Sequence, residues 1–200
     1  MKAGIVVIAV AAVLAGCRGR GSEQPVADSS AAAVEPMAPP LRLTMANGEV
    51  FDLAEQRGKK VVAIFFGYTH CPDFCPMTLA DFASVKRRLR ERADSVQFVF
   101  ITVDPARDTP AIADRYAKGF DRSFIGLSGD SATLAGIQRG FSVASFIERD
   151  SVTGAVPENY LVGHSALVFV VGKDGRIATL LPGDGRAEWL FNNLNAQLGA

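Results

Sequence analysis

Val61-Val62-Ala63-Ile64-Phe65-Phe66-Gly67-Tyr68-Thr69-His70-Cys71-Pro72-Asp73-Phe74-Cys75-Pro76 decides how the rest of the chain folds. Residues 61–66 form an unbroken apolar run, which fits a strand buried on both faces of a parallel sheet better than one with a wet face. Beyond the cysteines, Leu79, Phe82, Val85 and Leu89 recur at helical spacing. The cysteines therefore sit at a strand-to-helix junction, past the carboxyl end of a strand, where an open α/β sheet exposes its chemistry. A helix N-terminus there carries partial positive charge and favours a thiolate. Pro76 suits the first helical position, which makes Cys75 the cap residue.

Towards the N-terminus, Arg57-Gly58-Lys59-Lys60 is a turn, and residues 41–44 and 49–53 alternate around Met45-Ala46-Asn47-Gly48, whose Asn-Gly pair marks a β-hairpin. Residues 18–40 carry Ala, Ser, Pro and Gly without periodicity and read as a flexible tether. Residues 3–16 are apolar but short of the roughly 20 needed to span a bilayer, as in a signal peptide. Leu14-Ala15-Gly16-Cys17 resembles the bacterial lipoprotein signal, in which cleavage leaves Cys17 as the lipidated first residue. That signal implies an exported, membrane-anchored domain at 41–200, in a compartment where thiols oxidise unless a reductant or metal protects them.

Towards the C-terminus, residues 96–103 are a second buried strand, and Thr109 with Pro110 reads as the cap and first turn of a helix to about Phe120. Residues 124–127 are a short third strand and Ser131 opens a helix to about Phe141. The β-α-β-α-β-α order predicts a largely parallel sheet with right-handed crossovers. Residues 142–163 are a long polar insertion with short extended pieces, ending at His164. Residues 165–171 and 176–181 flank Gly172-Lys173-Asp174-Gly175 as an antiparallel hairpin. Residues 188–198 make a last amphipathic helix around Trp189, Leu190, Leu194 and Leu198.

With 48% hydrophobic residues over 200 positions, a core forms without disulfide staples, so the cysteines are free for chemistry. Lys plus Arg and Asp plus Glu are 21 each, a balance that excludes nucleic acid as a partner. Strand, cysteine pair, helix, later strands and closing hairpin together resemble the thioredoxin-like fold, a central mixed sheet flanked by helices. Ordinary redox members of that fold place two residues between the cysteines, whereas Cys71 and Cys75 enclose three. The longer spacer shifts the balance towards metal binding. Two thiolates suit copper(I), and an added imidazole can hold copper in both oxidation states. His70 and His164 are the only histidines. His70, adjacent to Cys71, points away from the pair, so His164 is the better third donor.

Residues 66–76, the run Val103-Asp104-Pro105-Ala106-Arg107-Asp108-Thr109-Pro110, residues 124–129 and Val162-Gly163-His164-Ser165-Ala166 are similar to the SCO/SenC family of copper chaperones. The resemblance covers about Leu41 to the C-terminus. It implies a tethered thioredoxin-like domain facing the periplasm of a bacterium. It also implies delivery of copper, one ion per domain, to the binuclear copper centre of cytochrome c oxidase subunit II or to another copper protein. The family's ligands map onto Cys71, Cys75 and His164. Asp104 resembles an acidic residue near the family's copper site, although an Asp before Pro105 also serves to close a turn. Many members have Asp before the histidine, where this chain has Gly163, which leaves open what orients His164.

A thiol-disulfide oxidoreductase acting through Cys71 and Cys75, on cysteines of the oxidase subunit or another exported protein, is the alternative; it has no use for His164. A peroxide-reducing enzyme fits poorly, because Cys75 at i+4 competes with the lone activated thiolate such enzymes need.

Overall fold

Strand β3 (Val61–Gly67) is buried at every position. The reason is its place at the centre of a five-stranded sheet. It pairs in parallel with β4 (Val96–Thr102) and antiparallel with β8 (Leu167–Val171), so its backbone groups are satisfied on both edges and its two faces can both go to the core. β5 (Ile125–Leu127) extends the parallel half, and β9 (Ile177–Pro182) closes the antiparallel half. The computed structural model describes residues 36–183 and 186–199; the expected signal peptide, Cys17 and most of the tether lie outside them.

Adjacent phenylalanines of β3 face opposite sides. Phe65 meets Phe100, which packs at a tilt against Tyr116 of α2 (Pro110–Lys118) on the side where Phe82 of α1 (Phe74–Leu89) joins Phe98 and Phe124. Phe66 packs instead with Phe141, just past α3 (Ser131–Gly140), and with Phe169. A fully buried aromatic ring of this kind contributes roughly 2–3 kcal/mol. α4 (Ala187–Gly199) lies along α1, with Leu190 and Leu194 buried. Trp189, expected on its apolar face, is half exposed and lies against the Arg186 guanidinium instead.

The expected hairpin is β1 (Arg42–Thr44) with β2 (Val50–Asp52), a separate two-stranded sheet. Residues 36–40, expected as tether, are ordered: Pro36 O accepts from Ile177 N at 2.9 Å and Ala38 N donates to Gly175 O at 2.9 Å, extending the β9 edge. The insertion holds another small ladder, β6 (Ser145–Ile147) with β7 (Val162–His164). Among the described residues no helix is long and apolar enough to cross a membrane.

Candidate metal centre

α1 starts two residues earlier than the proline signal implied. Asp73 occupies the cap position and makes no side-chain cap bond, so Cys75 is the second helical residue and Pro76 the third. The vacant cap is filled by sulfur: Cys75 N–H donates to Cys71 Sγ at 3.4 Å. Cys71 is half-buried at the mouth and Cys75 is fully buried beneath it. The Cys75 thiol donates to Cys71, and this bond does most to hold Cys71 down to about 5, helped by the N–H groups of Cys75 and Asp73 and opposed by partial burial. The same bond, with burial, pushes the Cys75 thiol up. The pair therefore shares one proton, held on the inner sulfur.

Room for the inner sulfur comes from Gly67. A Cβ there would meet Cys75 Sγ at 2.7 Å, Phe65 at 2.9 Å and Phe100 at 3.1 Å. β3 thus ends in a glycine because of close approach, not because of its backbone angles.

His164, last residue of β7, brings Nε2 to 3.8 Å from Cys75 Sγ. Its ring stands edge-on to Tyr68 (5.7 Å) and Phe65 (6.3 Å). Nδ1 lies 3.1 Å from the Val162 carbonyl; that oxygen only accepts, so Nδ1 carries the proton and Nε2 presents its lone pair to the sulfurs. The orienting partner is thus the strand's own backbone, which answers what Gly163 left open. Thiolate and imidazole bonds to a first-row ion of about 2.3 and 2.0 Å put S and N roughly 3.5–3.7 Å apart at trigonal to tetrahedral angles. The spacing at Cys75 and His164 fits. Among the described residues no three His, Cys, Asp or Glu donors are already gathered at one point, so side-chain rotation must close the set. A cleft of about 510 Å³ opens onto it, lined by Tyr68, Cys71, Phe74, Leu161 and His164 among others.

Both carboxylate oxygens of Asp104 are taken by other partners. Its buried carboxylate accepts from Arg107 Nε at 2.5 Å and from the Tyr160 hydroxyl at 2.9 Å. Arg107 Nη1 donates to Tyr160 O at 2.9 Å, and its guanidinium lies 3.6 Å from the Tyr160 ring centroid. Asp104 therefore clamps the end of the insertion four residues before His164, and through Arg107, whose guanidinium lies 5.8 Å from the Tyr68 ring centroid, it also bears on the aromatic wall beside His164. His70, half exposed, turns away from the pair with Nδ1 3.8 Å from Asp108 Oδ1.

Asp108 was given no role by the sequence. Wholly buried, its carboxylate accepts from Thr69 N (2.9 Å), Thr69 Oγ1 (2.5 Å) and Thr102 Oγ1 (2.7 Å). It fixes the loop that presents Cys71 to the end of β4. The signal was its place just past a buried strand, but an Asp between Arg107 and Thr109 reads equally well as a solvated turn residue.

Residues 29–199 match the SCO1/SenC family. An SCO2-like protein of Rickettsia prowazekii is 35% identical over 137 residues, 68% of this chain and 65% of that protein. The mitochondrial SCO2 homologue of Bos taurus is 33% identical over 156 residues, 76% of this chain and 56% of that protein. The chain thus spans under two-thirds of the length of these relatives. Among solved structures, copper-bound ScoI of Bradyrhizobium japonicum superposes with a TM-score of 0.70 at 34% identity, covering 80% of this chain and 99% of that one. Apo Sco1 of Thermus thermophilus gives 0.71 at 36% identity, covering 82% and 92%. With its thioredoxin-like sheet and a match that runs through nearly the whole domain, the chain belongs to the SCO1/SenC family.

Proposed function

We propose that this protein binds one copper ion through Cys71, Cys75 and His164 and donates it during assembly of cytochrome c oxidase, to the binuclear copper centre of subunit II or to another copper protein. The observation that carries this reading is the approach of His164 Nε2 to the Cys75 sulfur at 3.8 Å, across 89 positions of sequence. A pair acting only as a redox dithiol needs no imidazole there. Two thiolates and an imidazole suit copper in either oxidation state, and a copper-bound relative shares the fold at 34% identity. Copper is cargo here: it arrives at the half-open mouth at Cys71 and leaves by ligand exchange with a recipient's donors.

Titrating the reduced mature protein with copper(II) should produce a thiolate-to-copper charge-transfer band. His164→Ala should shift that band and weaken retention by more than the roughly 10- to 100-fold that loss of a mere outer-shell partner costs. An unshifted band in His164→Ala refutes the three-donor set.

Uptake should also depend on pH in a defined direction. With Cys71 near 5 and Cys75 held protonated, the pair carries one proton above about pH 5 and two below it. Both must leave for two thiolates to bind, and the imidazole must be neutral to donate, so copper affinity rises with pH, by at least about tenfold per pH unit above 5 and more steeply below. Competition titrations across pH 4–8 read this slope; a flat profile contradicts it.

The domain is held, on this reading, at the bacterial cell membrane by a lipid on Cys17, facing the periplasm. Mass spectrometry of the mature N-terminus should find acyl-modified Cys17; an unmodified terminus at another residue refutes the anchor.

The second reading, a thiol-disulfide oxidoreductase, draws on the asymmetry of the pair. The half-buried Cys71 thiolate at the cleft mouth can attack a partner's disulfide, forming a mixed disulfide and releasing one partner thiolate, which takes up a proton. Cys75, losing its proton, then attacks Cys71 Sγ, freeing the second partner thiol and leaving Cys71–Cys75 oxidised. Full function of His164→Ala in cells, with loss in either cysteine variant, would favour this reading over copper donation.

A further inference from the structure

The third donor is held by a ladder of only three residue pairs. Cys71 and Cys75 are fixed at the junction of β3 and α1, but His164 ends a three-residue strand in a separate two-stranded sheet. Ladders of that size are marginal alone, and Gly163 weakens this one further, because glycine has no side chain to pack and more backbone freedom to lose. Phe146 is the residue directly opposite Gly163. A Cβ built on Gly163 would meet the Phe146 ring at 2.4, 2.8 and 2.8 Å, so the far edge of the ring rests where a side chain at 163 would stand. At 65% exposure, burial in the core does not account for an aromatic at this position.

The register separates the ring from the site. Ser145 pairs with His164 on one face of the ladder, and Phe146 pairs with Gly163 on the other. Phe146 is therefore no ligand. A slip of one residue would turn His164 to the ring's face and away from Cys75.

We propose that Phe146 is a positioning residue: by lying across Gly163 it pins β6 against β7 and so sets where His164 offers Nε2 to the sulfurs. An aromatic covering a cross-strand glycine is a recognised way to restore a weak pairing. The inference deepens the copper reading, yet its first readouts need no metal.

In the mature, reduced, metal-free protein, Phe146→Ala should speed amide exchange at Gly163 and Ser165, the positions of β7 and its end that stand in hydrogen-bonded register with Phe146 and Ala144, about two- to fivefold and leave β3 and β4 unchanged. The His164 ring resonances should move as the imidazole leaves its edge-on contacts with Phe65 and Tyr68. Phe146→Tyr should restore both signals. Gly163→Ala should speed exchange in the parent, where the new Cβ displaces the ring, but slow it in Phe146→Ala, where alanine meets no ring and suits a strand better. With copper(II), Phe146→Ala should shift the charge-transfer band and Phe146→Tyr should keep it. Unmoved His164 resonances in Phe146→Ala, or a Gly163→Ala effect of one sign in both backgrounds, would overturn the role of Phe146. Failure of the parent to take up copper would instead sink the copper reading, and the metal-free signals would still decide the positioning role.

Discussion

Cys75→Ala should return the Cys71 thiol to its ordinary range near 8.5 and abolish copper uptake at micromolar concentrations. The first effect follows from the leading cause of Cys71 acidity, the hydrogen bond from the Cys75 thiol. Removing that donor leaves the Cys75 and Asp73 N–H groups, which also serve Cys71, against its partial burial. At pH 6 the ultraviolet thiolate absorbance of Cys71 should fall from nearly full to below about 1% of one thiol. The second effect follows because one thiolate and one imidazole cannot enclose a soft ion that the parent holds with three donors. The converse variant, Cys71→Ala, should leave Cys75 protonated and unreactive in its buried position. If Cys71 still titrates near 5 in Cys75→Ala, the helix N-terminus and not the neighbouring thiol sets its acidity.

Asp108→Ala should be among the most destabilising single changes outside the aromatic core. It strands the Thr69 N–H and the Thr102 hydroxyl in a buried place, both of which now donate to the carboxylate. Stranded donors and lost bonds to such a group cost about 2–4 kcal/mol together, a fall in Tm of about 5–15 °C for a domain of this size. Asp108→Asn should recover part of the loss, because the amide keeps one acceptor but turns an NH2 towards donors. Differential scanning calorimetry of the metal-free protein reads both. A shift under about 2 °C for Asp108→Ala would mean that water replaces the carboxylate at little cost.

The sheet was legible because its signals are local. The apolar run of β3 and the helical spacing of α1 each state one element without reference to the rest, and their order implies the parallel half. The cysteine pair was legible for the same reason. What sequence could not supply were pairings across long separations with weak local signals. β6 and β7 are three residues each and meet across the insertion, so neither reads as a strand alone. Asp104 was expected near the site; Tyr160, 56 positions away, takes one of its oxygens. The proline after Cys75 pointed to a later helix start, but the sulfur of Cys71 serves as acceptor for the first turn, so the helix begins at Phe74 without an oxygen cap. Trp189 was placed inward by its spacing, yet Leu190 and Leu194 already fill the seam against α1.

The close approach at Gly67 bears on any attempt to move this centre into another scaffold. Copying two cysteines and a histidine onto a foreign strand-helix junction would place the inner thiol against a side chain at the strand's last position. That thiol would swing outward, and both sulfurs would then lie at the surface with ordinary acidity and free access to oxidants. A transplant therefore begins by deleting a Cβ from the receiving strand, and only then adds donors; a receiving protein that tolerates the deletion poorly is the wrong host, however well its loops superpose.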